Sequence, residues 1–286
     1  MTPSPRRPRS STRWKRCSSR DRDGPTNIYT VGPAVVSPAT PPDPRRKSLP
    51  HAGVLRVHSD PPALPPPGGS GPNRFDDPRR GSLSRFRVRY TATTLRGCLL
   101  ESLDWLRPDP DAAAREATVV DNADADQPIR PAPPWAAMAD FLQDRKVATL
   151  TGRGLLLHSI DDPALQAILD KEPAVRALLD SADGRAALAG AGRKPRLDQA
   201  AVRLSTPFGR ELTQACSLAV WDRKPQPDGL HYRSRHDDSE DCWAVYDHSA
   251  VDIKNVVTFA ASVAEHRAAL KDVAALWGLP LPPAWA

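Results

Sequence analysis

The sharpest pattern in the chain is the alternation of "SRFRVRYTAT" (Ser84–Thr93), with Phe86, Val88 and Tyr90 on one face and Arg85, Arg87 and Arg89 on the other. Period two with β-branched and aromatic residues predicts a half-buried strand whose arginines face solvent. Helical spacing follows at once in "TLRGCLLESLDWLRP", where Leu95, Leu99, Leu103 and Leu106 mark a buried stripe and Pro108 stops the helix. Glu101 lies beside that stripe, and Gly97, one turn earlier, carries no side chain. The missing side chain leaves room for a group to approach the carboxylate, but the local pattern by itself favours an ordinary exposed helix glutamate. Upstream, "HAGVLRVHS" (His51–Ser59) reads as a short strand, and "PPALPPPGGSGPNRFDDPRRG" as a long loop punctuated by Pro and Gly.

Residues 109–135 are polar and Pro-rich and predict a surface excursion, after which "KVATLTG" and "GLLLHSI" read as two short strands. "DDPALQAILD" opens a helix with Asp162 as cap and Pro163 at the first helical position. "STPFGRELTQACSLAVWD" repeats the device with Ser205 or Thr206 before Pro207, and Phe208, Leu212, Cys216 and Val220 predict its buried face. In "GLHYRSR", alternation sets Leu230, Tyr232 and Ser234 inward, and His231, Arg233 and Arg235 on the opposite face. "CWAVYD" returns as its partner strand, "VDIKNVVTFA" is a further strand, and a helix over Val263–Trp277 ends at Gly278 and Pro280. Short strands interspersed with helices, without an internal repeat, predict an α+β protein.

Charge divides the chain. Residues 1–50 hold 11 Lys/Arg against 3 Asp/Glu, a net +8, whereas the whole chain carries only +6. The body is therefore nearly neutral, and the basic character belongs to a Pro/Arg-rich tail whose composition predicts disorder. A nucleic-acid arm is one reading, since Arg neutralises phosphates, but basic tails are common and a merely solvated tail, or residues ahead of the true start, is favoured over it. The four cysteines, Cys17, Cys98, Cys216 and Cys242, form no C-x-x-C pair, which argues against a disulfide framework or zinc site and suits a reducing compartment. No apolar run reaches membrane-spanning length, and the first residues lack the apolar core of a secretory signal. The expectation is a cytoplasmic protein without membrane contact.

Ser234 stands between two arginines in "DGLHYRSRHDDSEDCWAVYD" (Asp228–Asp247). A nucleophile is disfavoured: no G-x-S-x-G elbow is present, and His231 belongs to the other face. A metal site from His231, His236, Asp237 and Asp238 is disfavoured too, because their spacing matches no ligand pattern. An inward hydroxyl needs a hydrogen-bond partner, from the protein backbone or from a ligand.

This stretch resembles the C-terminal signature of the RES domain. Upstream elements fall in that family's order: "LRVHS" with Arg56, "GPNRFDDP" with Arg74, "RVRYTA" with Tyr90 and "CLLESL" with Glu101. The similarity covers about residues 50–255, each motif weak alone and specific as an ordered set of five. It divides the chain into the tail (1–50), a RES domain (51–260) and a C-terminal helix packed on it (261–286). The resemblance implies an ADP-ribosyltransferase-like core of short mixed strands and flanking helices. It also implies a toxin of a bacterial toxin–antitoxin pair that consumes NAD as substrate, with water, phosphate or a protein side chain as acceptor. The partner implied is an Xre-type helix-turn-helix antitoxin, through which any nucleic-acid contact would be made. No metal or resident cofactor is implied. On this reading Arg56 and Arg74 bind the pyrophosphate, Tyr90 stacks on or hydrogen-bonds nicotinamide or ribose, and Glu101 stabilises the oxocarbenium-like ribose. Ser234 then positions the ribose or carboxamide. Two features depart from the family: the loop containing "PRRGSLS" is longer than its compact form, and residues 1–50 and 109–135 lie outside the match. The rival reading is an inert or regulatory RES-like binding protein whose tail touches nucleic acid.

Overall fold

The computed structural model describes residues 44–59, 73–79, 84–108, 133, 135–189 and 195–286. Most of the basic tail, with its nucleic-acid contact, and most of the two excursions at 60–83 and 109–135 lie outside the described residues. Ahead of residue 50, β1 (Arg46–Lys47) pairs antiparallel with β5 (Leu157–Ser159). Two contacts hold it there. The Arg45 amide donates to the Asp162 carboxylate at 2.7 Å, and Leu49 is buried in a cluster with Val54, Leu157 and Trp243.

The remaining strands are β2 (Val54–Ser59), β3 (Val88–Ala92), β4 (Arg145–Thr151), β6 (Gly229–Arg233), β7 (Asp241–Tyr246) and β8 (Asp252–Thr258). They form one sheet of order β1-β5-β6-β7-β3-β2-β4-β8, antiparallel except for the β5–β6 pair. The α+β class is as expected. Helices are α1 (Leu95–Ser102), α2 (Ala136–Leu142), α3 (Pro163–Leu169), α4 (Pro173–Leu179), α5 (Ala182–Leu188), α6 (Gln199–Val202), α7 (Pro207–Trp221) and α8 (Ala264–Trp277). The capping residues do what their chemistry predicts: Asp162 accepts from the Ala164 amide, Thr206 from Gly209, and Gly278 closes α8 in the left-handed region at φ 66°.

One weak seam in the sheet positions the site. β2 pairs with β4 through six residue pairs and β3 with β7 through five, but β2 and β3 meet only at Leu55–Ala92. The sheet is thus two halves hinged on one pair. The β5-β6-β7-β3 half packs against α3–α7 in a core of Phe75, Phe86, Leu165, Leu212 and Tyr232. The β2–β4 half packs against α1, α2 and α8 around Leu99, Leu103, Met138 and Leu270. Leu55 and Val57 touch both cores. α1 follows β3 directly and crosses the seam, anchored by the Cys98 thiol on the Leu55 carbonyl at 3.0 Å.

The arginine face of the β3 pattern is not left to solvent. Arg85 donates to the Asp77 carbonyl at 2.7 Å and Arg89 to the Tyr246 carbonyl at 3.4 Å, so both are half-buried. No helix among the described residues is long and apolar enough to cross a membrane.

Candidate active site

A cavity of about 680 Å³ opens at the seam. Its inner walls carry Arg56 from β2, Tyr90 from β3, Glu101 from α1 and Arg74 from the segment between β2 and β3. Four of the five residues singled out in the sequence are therefore brought to one space. The fifth, Ser234, lies immediately behind it, fully buried, and its hydroxyl donates to Glu101 Oε1 at 2.7 Å. β6 ends at Arg233, and the Ser234 amide closes the β6–β7 hairpin on the Glu240 carbonyl at 3.0 Å. That turn fixes the hydroxyl beneath Glu101. Ser234 does not itself line the cavity and is joined to its wall through Glu101.

The room expected beside Glu101 is occupied. A Cβ on Gly97 would stand 2.7 Å from Glu240 Oε2, so the glycine admits the Glu240 carboxylate and not a ligand. Glu240 accepts from Thr94 Oγ1 at 2.5 Å and Arg96 Nη1 at 3.0 Å, tying α1 to the hairpin. Sequence reasoning missed this strut; the paired glycine and buried acid have no local signature.

Arg74 is only 7% exposed, and a single nitrogen, Nη2, is bonded, to the Val202 carbonyl at 2.6 Å. Its Nε and Nη1 are enclosed without a partner. The guanidinium instead lies 5.1 Å from the Phe75 ring centre and 5.5 Å from that of Tyr232. Arg56 is similar: Nη1 is enclosed and unpartnered, and burial together with the nearby Arg89 charge lowers its pKa to about 10. Buried cations without acids are costly, and both residues border the cavity.

The Tyr90 hydroxyl is already committed. It donates to Asp76 Oδ1 at 2.9 Å and accepts from the Phe75 amide at 2.9 Å. Burial pushes its pKa well above the ordinary tyrosine value, and burial likewise raises the Asp76 carboxyl. Of the two roles expected for Tyr90, stacking by the ring is the one left open. Asp76 and its neighbour Asp77 pin the Arg74 segment, Asp77 by accepting from the Phe86 amide at 3.0 Å. Their signal was the "RFDDP" run itself, read in sequence only for its arginine.

Toward the outer wall, Arg235 lines the cavity and is ion-paired with Asp104. Strand alternation had placed Arg235 on the far face, but the strand stops two residues earlier, so the alternation does not reach it. Arg233 is exposed, as that pattern requires. Burial pushes the Asp104 carboxyl up, but the hydrogen bond from His236 and the Arg235 charge outweigh it and hold the pKa below the usual value. Arg145 stacks on Phe141 at 4.0 Å, and burial lowers its pKa. Five arginines (56, 74, 145, 210 and 235) line the cavity against two carboxylates, Glu101 and Asp104. The space is electropositive and suited to a polyanion.

The disfavoured constellations are dispersed. His236 pairs with Asp104, Asp237 with Arg96, Asp238 with Arg203, and His231 with Asp241. Among the described residues no cluster of three His, Cys, Asp or Glu is placed to hold a metal ion. His231 does form a Ser–His–Asp chain, with Ser159 Oγ 3.1 Å from Nδ1 and Asp241 Oδ1 2.8 Å from Nε2. None of the three lines the cavity.

No protein-family model and no curated protein matches the chain. Among solved structures, the M. tuberculosis MbcT–MbcA toxin–antitoxin complex is similar over 75% of this chain and 84% of that chain, at 10% identity and a TM-score of 0.34. A likeness of that size carries no functional argument.

Proposed function

We propose that the chain is an NAD-consuming toxin of the RES type, cleaving the bond between nicotinamide and ribose and working against an Xre-type antitoxin. The observation that carries the reading is a carboxylate held by a buried serine at the edge of an electropositive cavity, beside two arginines with unpartnered nitrogens. An NAD pyrophosphate satisfies Arg56 and Arg74, for which planar guanidinium forks are well suited. The Tyr90 ring offers an apolar wall for nicotinamide or ribose.

Cleavage breaks the C–N glycosidic bond, and the electron pair leaves with the nicotinamide nitrogen, which changes from cationic to neutral. No general acid is needed, unlike ordinary glycoside hydrolysis. Positive charge develops on the ribose, and Glu101, aligned by Ser234, stabilises it and holds a ribose hydroxyl. An acceptor oxygen then bonds to the anomeric carbon; water yields ADP-ribose and a proton, phosphate yields the 1-phosphorylated sugar.

The test incubates purified chain with NAD, with and without phosphate, and measures free nicotinamide. Release in either condition, lost in Glu101→Gln with the fold retained, is the expected result. Folded protein that releases none leaves the inert binding protein as the better reading.

A further inference from the structure

We infer that β8 is a dimer interface, across which a second copy of this chain continues the sheet strand to strand. β8 ends the strand order beside β4, so its other edge is paired with no described strand. All seven of its residues are exposed. Of the six large apolar side chains that stand exposed among the described residues, three fall on it: Ile253, Val256 and Val257, at 41%, 49% and 50%. A bare edge carrying β-branched residues is a template for another strand.

The register with β4 shows that two of these side chains extend the core. Directly paired residues share a face of the sheet. Ile253 pairs with Leu150, which is buried in the cluster of Val54 and Trp243, and Val257 pairs with Val147, which is buried against α1, α2 and α8. Both apolar layers therefore run out to β8 and end there uncovered. Apolar residues on both faces mark an interior strand, yet this one stands at the edge.

Geometry and charge select a second copy as the occupant. A two-fold axis normal to the sheet pairs β8 with itself antiparallel and keeps each face of the sheet on its own side. A bulge lies between the Val147–Val257 and Thr149–Lys254 pairs, and within it Asn255 takes φ 52°. The extra residue puts Ile253 and Val257 on opposite faces although they are four apart. An axis at Asn255 would pair those two and is excluded. An axis at Ile253 keeps the faces in step: it sets Ile253 against its counterpart, Asp252 against Lys254 in both directions, and Ala250 alongside Val256. Asp252 and Lys254 lie on one face, opposite Thr151 and Thr149, and within one chain they meet only at 3.9 Å. An axis at Val257 also keeps the faces but leaves both charges without a counterpart. The strand is thus self-complementary about Ile253, with two ion pairs flanking one apolar contact.

The interface bears on the cavity. β4 carries β2 on its other side, and Arg56 pairs with Ala148, the β4 residue at the bulge. The half of the sheet that meets the rest through a single pair is the half that a second copy braces.

Light scattering on the full chain over about 1–100 µM tests this by mass. The mass is expected to rise to twice the 31.1 kDa of one chain and no further, because an isologous contact closes at two. Ile253→Lys brings two ammonium groups together on the axis and should weaken dimerisation at least about a hundredfold. The position is exposed, so the melting temperature of the monomer should stay within about two degrees. Asp252→Lys and Lys254→Asp each oppose like charges twice and should weaken the dimer about tenfold. Combined, they reverse both ion pairs and recover the parent affinity. A chain monomeric throughout the range overturns the interface, and so does a dimer indifferent to Ile253→Lys, which forms elsewhere. Single swaps that weaken the dimer without rescue in the double variant overturn the axis at Ile253. A monomer whose β8 amides slow their hydrogen exchange only when a different protein is added gives the edge to that partner and overturns the second copy.

Discussion

Two serines in the same sheet neighbourhood make opposite cases. Ser159 belongs to a hydroxyl–imidazole–carboxylate chain with His231 and Asp241, the residue types of a hydrolytic relay, and both Ser159 and His231 are almost fully buried. With Asp241 on Nε2, that nitrogen carries the proton and Nδ1 accepts from the Ser159 hydroxyl. Both imidazole nitrogens are spent inside the chain, and no residue of the relay borders the cavity. Ser234 holds only one acid, Glu101, yet that acid stands at a space of about 680 Å³ with net positive walls. Open volume and unspent charge distinguish a site from a strut; the list of residue types does not. The relay cross-links β5, β6 and β7, while the dyad faces a ligand.

The largest effect that can break this comparison is on turnover. Glu101→Gln is expected to lower NAD consumption by about 10²–10³-fold, the scale for losing a preorganised electrostatic contact, with little change in melting temperature. Asp241→Asn, the matching change in the relay, is expected to leave turnover within about twofold while costing about 1 kcal/mol of stability. Nicotinamide release by both variants, alongside their melting curves, decides it. The reverse outcome would move the chemistry to the relay.

Ser234→Ala tests whether the buried hydroxyl acts through Glu101. A hydrogen bond to a charged group is worth about 1.5–3 kcal/mol, so kcat is expected to fall about tenfold to a hundredfold with the KM for NAD nearly unmoved. Adding Ser234→Ala to Glu101→Gln should cost almost nothing further, because the two act as a unit. Independent, multiplying losses in the double variant would mean that Ser234 touches substrate itself.

What the sequence made legible follows from where the relevant forces are local. Caps and stripes were readable because they act over one or two turns: Thr206 before Pro207, and Leu99 and Leu103 on one face, behave as their spacing predicts. Ser234 is buried as its period-two position suggested, although it stands one residue beyond the strand and the hairpin turn holds it there. Its partner was not readable, since Glu101 lies on another element and meets it only through a hairpin turn. Arg235 failed for a related reason: alternation holds only while the strand does. Gly97 was read as an opening, when its missing side chain admits Glu240 from far along the chain. The seam between β2 and β3 has no sequence signature, because it is a pairing that does not continue.

Arg56 separates stability from function. Burial and Arg89 lower its pKa to about 10, so the folded chain disfavours its charge. The sign follows: below that pKa the charged residue destabilises the fold relative to the unfolded chain, and the cost is relieved only as the pH rises through it. Arg56→Met is therefore expected to raise the melting temperature at pH 7 by about a few degrees, while the KM for NAD rises about tenfold for lack of a phosphate partner. A variant both less stable and unchanged in KM would make Arg56 a structural residue.

The smallest effect concerns His231, and it tests the strut directly. Burial lowers its pKa, outweighing the opposing pull of Asp241; Lys47 lowers it further and Asp161 opposes. With the folded value below the unfolded one of about 6.5, the unfolded chain takes the proton first. Stability is therefore lost as pH falls below about 6.5, and the loss is complete once the pH is under the folded pKa. Burial lowers the pKa of His158 and His266 in the same way, so the acid sensitivity is shared among three residues. His231→Gln should shrink, not abolish, the stability difference between pH 7 and pH 5 measured by denaturant titration. NAD consumption at pH 7 should stay within about twofold of the parent chain. A variant whose pH dependence is unchanged but whose turnover collapses would make His231 a catalytic base, and the contrast between the two serines would have to be drawn the other way.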